Sequence, residues 1–248
     1  MRGCPSSWGM LYFRRVLRVM TNQQRLRITF GKGESVKYIS HLDLCQAWER
    51  ALRRSGAPLA YSLGFHPQAK LQLAAALPVG YTSTAEVLDV LLDKVVSLQE
   101  FRQQLPAVLP TGLLLVGVED IDLRFPSLQS RLRQAEYRVT VQTATSDSEV
   151  TRRIGRFLAA DQIEQQRVRK QRTETVDLRP LVHDIQMETA NRDGLTLCMR
   201  VSTGQHGNVR PVTVLAALGL GAARTQTERT NLLFRFDTRW ASGYNHCL

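Results

Sequence analysis

Two short stretches hold most of the side chains in this sequence that could do chemistry. They are Ser40-His41-Leu42-Asp43 and Tyr61-Ser62-Leu63-Gly64-Phe65-His66-Pro67-Gln68-Ala69-Lys70. Two imidazoles can serve as acid and base on an RNA backbone, and an ammonium group can stabilise the charge that builds on a phosphorane. His41, His66 and Lys70 are therefore the candidate catalytic residues. Ser40, Asp43 and Tyr61 join them as candidates for binding substrate, because the first stretch opens a helix whose free N–H groups suit an anion. The same residues have a plainer use. Ser40 and Asp43 would cap that helix, His41 would be an exposed first-turn residue, and Phe65-His66-Pro67 would form a rigid turn.

Two arginines stand directly before proline: Arg179 in Val176-Asp177-Leu178-Arg179-Pro180 and Arg210 in Gly207-Asn208-Val209-Arg210-Pro211. A residue before proline is held extended, which fixes the direction of its side chain. Both are substrate-binding candidates. Arg210 would stand beside a helix start, whereas Arg179 could equally pair with Asp177.

The 248 residues carry 33 Lys+Arg against 22 Asp+Glu, a net charge of +11. Only Lys32, Lys37, Lys70, Lys94 and Lys170 are lysines, so arginine, whose planar fork grips phosphate with two hydrogen bonds, dominates. RNA, DNA or a ribonucleoprotein is the expected partner, ahead of a membrane surface. The nucleic-acid-binding candidates are Arg53 and Arg54, which close the first helix, and Arg167, Arg169, Lys170 and Arg172 in an acid-free run. As one strand, that run would put Arg167 and Arg169 on one face and Lys170 and Arg172 on the other.

No stretch approaches the roughly 18 apolar residues of a membrane span. The four cysteines, Cys4, Cys45, Cys198 and Cys247, are too scattered for a zinc ribbon, an iron–sulfur loop or a disulfide scaffold. Neither a metal nor a cofactor of its own is expected, and the cytoplasm is the expected compartment. Walker, GxGxxG, HExxH and GxSxG motifs are absent.

The elements that must position these groups follow from periodicity. Residues 1–24 form a basic extension, expected to be poorly ordered, and translation beginning at Met20 would remove most of it. Arg25–Ser40 alternates as a strand, and His41–Ser55 carries Leu42, Cys45, Trp48 and Leu52 at helical spacing. Leu59–Leu63, Lys70–Leu77 and Ala85–Leu92 read as strands, Ser97–Leu109 as a helix and Leu113–Ile121 as a strand. The second half repeats the plan: strand 135–143, helix 146–160, strands 163–172, 182–187 and 195–202, helix 210–218 and strand 230–236. The fold class is α+β, with two tandem ferredoxin-like (split βαβ) domains over 25–125 and 135–236 and a tail over 237–248.

Several motifs agree in order with a known pattern: Ile39-Ser40-His41-Leu42-Asp43, Ala51-Leu52-Arg53-Arg54-Ser55-Gly56, Gly64-Phe65-His66-Pro67, Leu77-Pro78-Val79-Gly80, Ala135-Glu136-Tyr137-Arg138-Val139, and the two Arg-Pro segments. From Arg25 to Phe236 the chain resembles a bacterial radical-SAM-linked family of unknown function. The resemblance implies an adapter, often encoded beside or fused to a radical-SAM protein and frequently near a ribonuclease and ribosomal proteins. Radical chemistry would then belong to the partner, since this chain has no cluster-binding cysteine triad. The leading expectation is a non-catalytic RNA- or ribosome-related adapter. The alternatives are an endoribonuclease or RNA-modifying enzyme using His41, His66 and Lys70, and a protein–protein interaction module.

Overall fold

Leu26, Ile28 and Phe30 alternate with polar residues and are fully buried, which makes the first strand, β1 (Gln24–Lys32). The computed structural model describes residues 22–169, 172–191, 194–205 and 207–235. Of the basic extension 1–24 only residues 22–24 fall among these, and Gln24 already belongs to β1. The tail 237–248 and Lys170 lie outside the described residues. β1 gives way to one 3-10 turn (Glu34–Val36), where the alternation predicts a strand continuing toward Tyr38-Ile39.

Helix α1 (His41–Arg54) begins at Ser40. The Asp43 N–H donates to the Ser40 hydroxyl at 3.2 Å, and the Ser40 N–H donates to the Asp43 carboxylate at 3.3 Å. A cap of this kind is worth on the order of 1 kcal/mol. Leu44, Trp48, Ala51 and Leu52 form the buried stripe, so the helix is turned slightly from the sequence reading, and Leu42 is left 71% exposed. Strands β2 (Leu71–Leu73) and β3 (Thr82–Leu92), helix α2 (Leu98–Val108) and strand β4 (Leu113–Ile121) complete the first half. Leu59–Leu63 is not a strand. It contributes only two isolated bridges, Leu59 to Leu92 and Tyr61 to Ala69.

The second half runs through a one-turn helix α3 (Leu128–Arg131), β5 (Leu132–Gln142), α4 (Asp147–Ala159), β6 (Glu164–Arg169), β7 (Arg172–Asp177), β8 (Val182–Asn191), β9 (Gly194–Ser202), α5 (Pro211–Ala217) and β10 (Arg224–Phe234). The main sheet has the order β4-β1-β3-β10-β5-β9-β8, with β2 pairing β3 beside that path. Within each half, counting the four strands of the main sheet in chain order, the arrangement is fourth, first, third, second. The mixed α+β class is as expected, but the two halves do not form separate sheets. β2 has three residues and β3 eleven, so β2 covers only Leu88–Val90 and leaves the start of β3 unpaired. An open strand edge is a template for pairing. β10 fills it in parallel, Glu228 against Thr82 and Arg229 against Ser83, and the result is one continuous sheet.

The helix-covered parts of both cores lie on the same face of that sheet, while Val87 of the second core, opposite Thr29, lies on the other. Phe30 of the first core is level with Glu86, Glu86 pairs with Arg229, and Arg229 is level with Tyr137 of the second core. Strand positions opposite each other share a face, so all four carry one orientation across the seam. Arg229 donates to Glu86 at 2.7 Å through Nε, and both side chains are 1% exposed. Burial works against the Arg229 charge, but the Glu86 carboxylate outweighs it and holds the guanidinium pKa above its ordinary value.

The connection between the halves explains the other face. β4 is the outer edge of the first half and β5 lies beyond β10, so the chain must cross the sheet to reach it. It crosses over the face away from α1, α2, α4 and α5, bringing the single turn of α3 with it. Arg25 donates to the Phe125 carbonyl, the Arg27 guanidinium lies 5.3 Å from the Phe125 ring centroid, and Gln129 donates to the Leu73 carbonyl at 3.1 Å. Arg25 and Arg27, paired with Asp89, are thereby covered.

Candidate functional site

The residues singled out around α1 are placed one by one, and capping accounts for two of them. Ser40 and Asp43 bond each other. His41 is exposed in the first turn with Nε2 4.0 Å from Cys45 Sγ. The Tyr61 hydroxyl donates to Glu49, two turns further along α1, at 3.5 Å. His66 stands in an exposed loop closed by the Ser62 N–H donating to the Gln68 carbonyl at 2.8 Å. Lys70 lines a cavity of about 360 Å³ with Arg25, Gln72, Asp89 and Ser127. Among the described residues no hydrogen bond or ion pair joins His41, His66 and Lys70. No group of three His, Cys, Asp or Glu side chains there is arranged to hold a metal.

Many arginines are committed to the fold. Arg179 donates to the carbonyls of Leu158 at 3.1 Å and Val182 at 2.8 Å, closing the end of α4. Arg54 donates to the Val108 carbonyl at 2.7 Å, tying the end of α1 to the end of α2. Arg153 does the same for α5 through Leu218 and Gly219. Unpaired carbonyls at helix ends are natural targets for these donors. Arg53, 67% exposed, stays in solvent at 4.0 Å from Glu49. Arg210 is exposed at the start of α5, close enough to Tyr81 to act on it electrostatically.

The basic run is not one strand. Glu164–Arg169 and Arg172–Asp177 form a two-stranded ribbon outside the main sheet, with Arg167 opposite Glu174 and Arg169 opposite Arg172. Turning the chain changes the parity: Arg172 now shares a register face with Arg167 and Arg169, where a single strand would have put it on the other. The base is fixed by Asp177, which accepts from the N–H groups of Ile163 at 2.9 Å and Arg179 at 3.0 Å.

Sequence reasoning missed a second region, at the seam. A cleft of about 300 Å³ is lined by Lys37, Tyr38, Arg138, Arg224, Gln226 and Glu228 among others. It opens on the helix-free face of the second half, where Glu136, Arg138, Thr140, Cys198 and Arg200 stand outward in rows. Arg138 donates to Glu188 at 2.9 Å and lies 3.6 Å from Glu228; Arg200 donates to Glu136 at 2.9 Å. Hydrogen bonding from Arg138 pulls the Glu188 carboxyl below its usual range, while burial, followed by the hydrogen bond its Sγ donates to Glu188, pushes the Cys198 thiol up. The signal in the sequence was the alternation Glu136-Tyr137-Arg138-Val139-Thr140, which marks a strand with one polar face but does not say what that face meets.

A family model described as an uncharacterized protein conserved in bacteria (DUF2344) matches residues 25–211. No curated protein matches the sequence. Among solved structures, the chain is similar to one in a Cbf5-Nop10-Gar1 complex, with a TM-score of 0.46 and 14% identity over 86% of this chain and 50% of that one. It is also similar to a chain of an H/ACA RNP bound to a substrate RNA containing 2'-deoxyuridine (TM-score 0.41, 12% identity, 87% and 49% covered). A third is the acetolactate synthase small subunit from Thermotoga maritima (TM-score 0.27, 9% identity, 87% and 98% covered). The chain spans about half the length of the first two. Likenesses this distant say nothing about what the chain binds.

Proposed function

The chain belongs to the DUF2344 family of bacterial proteins, and from that premise we propose that it is a non-catalytic adapter that binds RNA or a ribonucleoprotein and presents a substrate to a partner radical-SAM enzyme. The observation that carries the binding half is the β6–β7 ribbon, which stands outside the sheet with Arg167, Arg169 and Arg172 at register positions on one face. The same register puts Glu174 opposite Arg167, so that face carries three arginines against one carboxylate, and arginine's planar fork binds phosphate with two hydrogen bonds. The excess of basic over acidic residues, +11 over the chain, adds long-range attraction.

The adapter half rests on the family resemblance and on the scatter of the cysteines. Cys45 lies on α1 and Cys198 on β9, so reaction chemistry that needs an iron–sulfur cluster would come from the partner. Each half is read as a ferredoxin-like unit, and the repeated fourth-first-third-second strand order supports this.

The test is anisotropy of fluorescein-labelled structured RNA at 50 and 200 mM salt, with wild type and an Arg167→Glu/Arg169→Glu/Arg172→Glu variant. Each phosphate contact contributes a slope of about 0.9 in log affinity against log salt, so the variant is expected to lose roughly two to three units of slope. Equal slopes for both proteins overturn the ribbon as the contact. Co-expression with a radical-SAM protein, followed by nuclease, tests the partner: a complex that never forms removes the adapter role.

A further inference from the structure

The seam cleft holds an exposed aromatic ring in a fixed place, and the way it is held is informative. Lys32 is 1% exposed, and its ammonium donates to the Lys37 carbonyl at 2.9 Å. The Gly80 N–H donates to the same carbonyl at 2.9 Å. Gly80 has φ +87°, a left-handed backbone conformation that favours glycine, and it lies beside the Tyr38 ring. Tyr38 itself is 72% exposed, with the Lys37 ammonium 5.2 Å from its ring centroid. Burying an ammonium group is costly, and here burial lowers the Lys32 pKa, with Glu86 acting against that shift. That costly group anchors the segment presenting one surface ring.

Across the cleft stand Arg138 and Thr140 on β5 and the start of β10. Arg138 is engaged by Glu188 and Glu228, but Arg224 is exposed and makes no ion pair among the described residues. The charged lining is Lys37, Arg138 and Arg224 against Glu34 and Glu228, an excess of one cation. An exposed aromatic ring with a cation over it, an exposed guanidinium that makes no ion pair among the described residues, and hydroxyl and amide groups of the same lining match the parts of a nucleotide: base, phosphate and ribose.

We propose that the seam cleft binds a single nucleotide, with its base stacked on Tyr38 and its phosphate at Arg224. The same chemistry comes from a free mononucleotide or from one unpaired nucleotide of an RNA strand, and only the second source rests on the RNA-binding reading above. The lysine-anchored Tyr38 makes the site pre-formed, so binding needs no rearrangement of the sheet.

Titration calorimetry with uridine 5'-monophosphate and with octauridylate tests it on the full chain. Tyr38→Ala and Arg224→Glu are each expected to weaken binding at least tenfold, while Tyr38→Phe keeps it within about twofold because the stacking face remains. Circular dichroism checks that these exposed positions leave the fold intact. Binding of both probes identifies a mononucleotide site, and binding of the octamer alone identifies a strand site; either supports the proposal if the variants respond. An octamer carrying central 5-bromouridine is expected to crosslink to the peptide containing Tyr38 under ultraviolet light, including in the ribbon-glutamate variant. That result separates failure of the ribbon from failure of the cleft. Binding of neither probe, unchanged affinity in Tyr38→Ala and Arg224→Glu, or inorganic phosphate competing as well as the mononucleotide overturns the proposal.

Discussion

The two halves share a strand order, yet the faces away from their helices have opposite fates. In the first half that face is roofed by the crossing segment around Phe125, and Arg25, Arg27 and Asp89 are shut beneath it; Arg27 is 7% and Asp89 4% exposed. In the second half no described segment crosses, and Glu136, Arg138 and Arg200 pair with carboxylates or arginines while still reaching water. The same kinds of side chain, on strands of the same rank, become buried ion pairs in one half and a polar surface in the other. What decides is connectivity: the chain leaving β4 must cross the sheet of the first half to reach β5, and it carries Phe125 over that face. A basic residue count therefore overstates the charge available to a partner.

The contrast can be broken most forcefully beneath the roof. Asp89→Ala leaves two arginines without their shared carboxylate and is expected to cost about 3–5 kcal/mol in urea denaturation, because an uncompensated buried charge remains. Arg229→Met at the seam is expected to cost about as much, and adding Glu86→Leu to it should recover a large part, since both charges are then gone. If the double variant is no better than the single, the ion pair is not what joins the halves.

Ser40→Ala is expected to cost about 1 kcal/mol through the lost cap and to leave RNA binding unchanged. Weakened RNA binding in that variant would restore the α1 start as a ligand site. The open-face counterpart of the first experiment, Glu136→Ala, removes the half-buried partner of Arg200 and Asn231 and is expected to cost about 1 kcal/mol or less. A cost equal to that of Asp89→Ala would erase the distinction between the faces.

The smallest effect is in pH. Burial, then the charges of Arg200 and Arg179, push the His183 imidazole below its ordinary value, and its Nε2 lies 2.9 Å from the Ser202 hydroxyl. Below the ordinary histidine pKa of about 6.5 the unfolded chain takes up a proton that the folded chain resists, so stability falls as pH drops there. Denaturation midpoints measured from pH 7.5 to 5.5 should show this decline, and His183→Gln should reduce it.

Local signals were legible and long-range ones were not. The Ser40–Asp43 cap, the Trp48 core position, the Pro211 helix start and most strand locations follow from spacing alone, because each depends on neighbours a few residues away. The start of α1 was also the most conspicuous chemical candidate, and the structure accounts for its Ser40 and Asp43 as a cap. By contrast, Tyr38, Arg138 and Arg224, from three distant stretches, meet only once β10 pairs with β3. Arg172 moved to the opposite face because the chain turns between Arg169 and Arg172, and one extra reversal inverts the parity of every residue after it.

The amino-acid order alone determined the α+β class, the helix starts and the surplus of guanidinium groups, all of which are properties of short segments and of composition. Tertiary structure decided that two halves form one sheet, which arginines are spent inside it, and where a cleft opens. Those outcomes depend on which edge remains unpaired and which path the connecting chain must take, and neither is encoded within reach of any single local pattern.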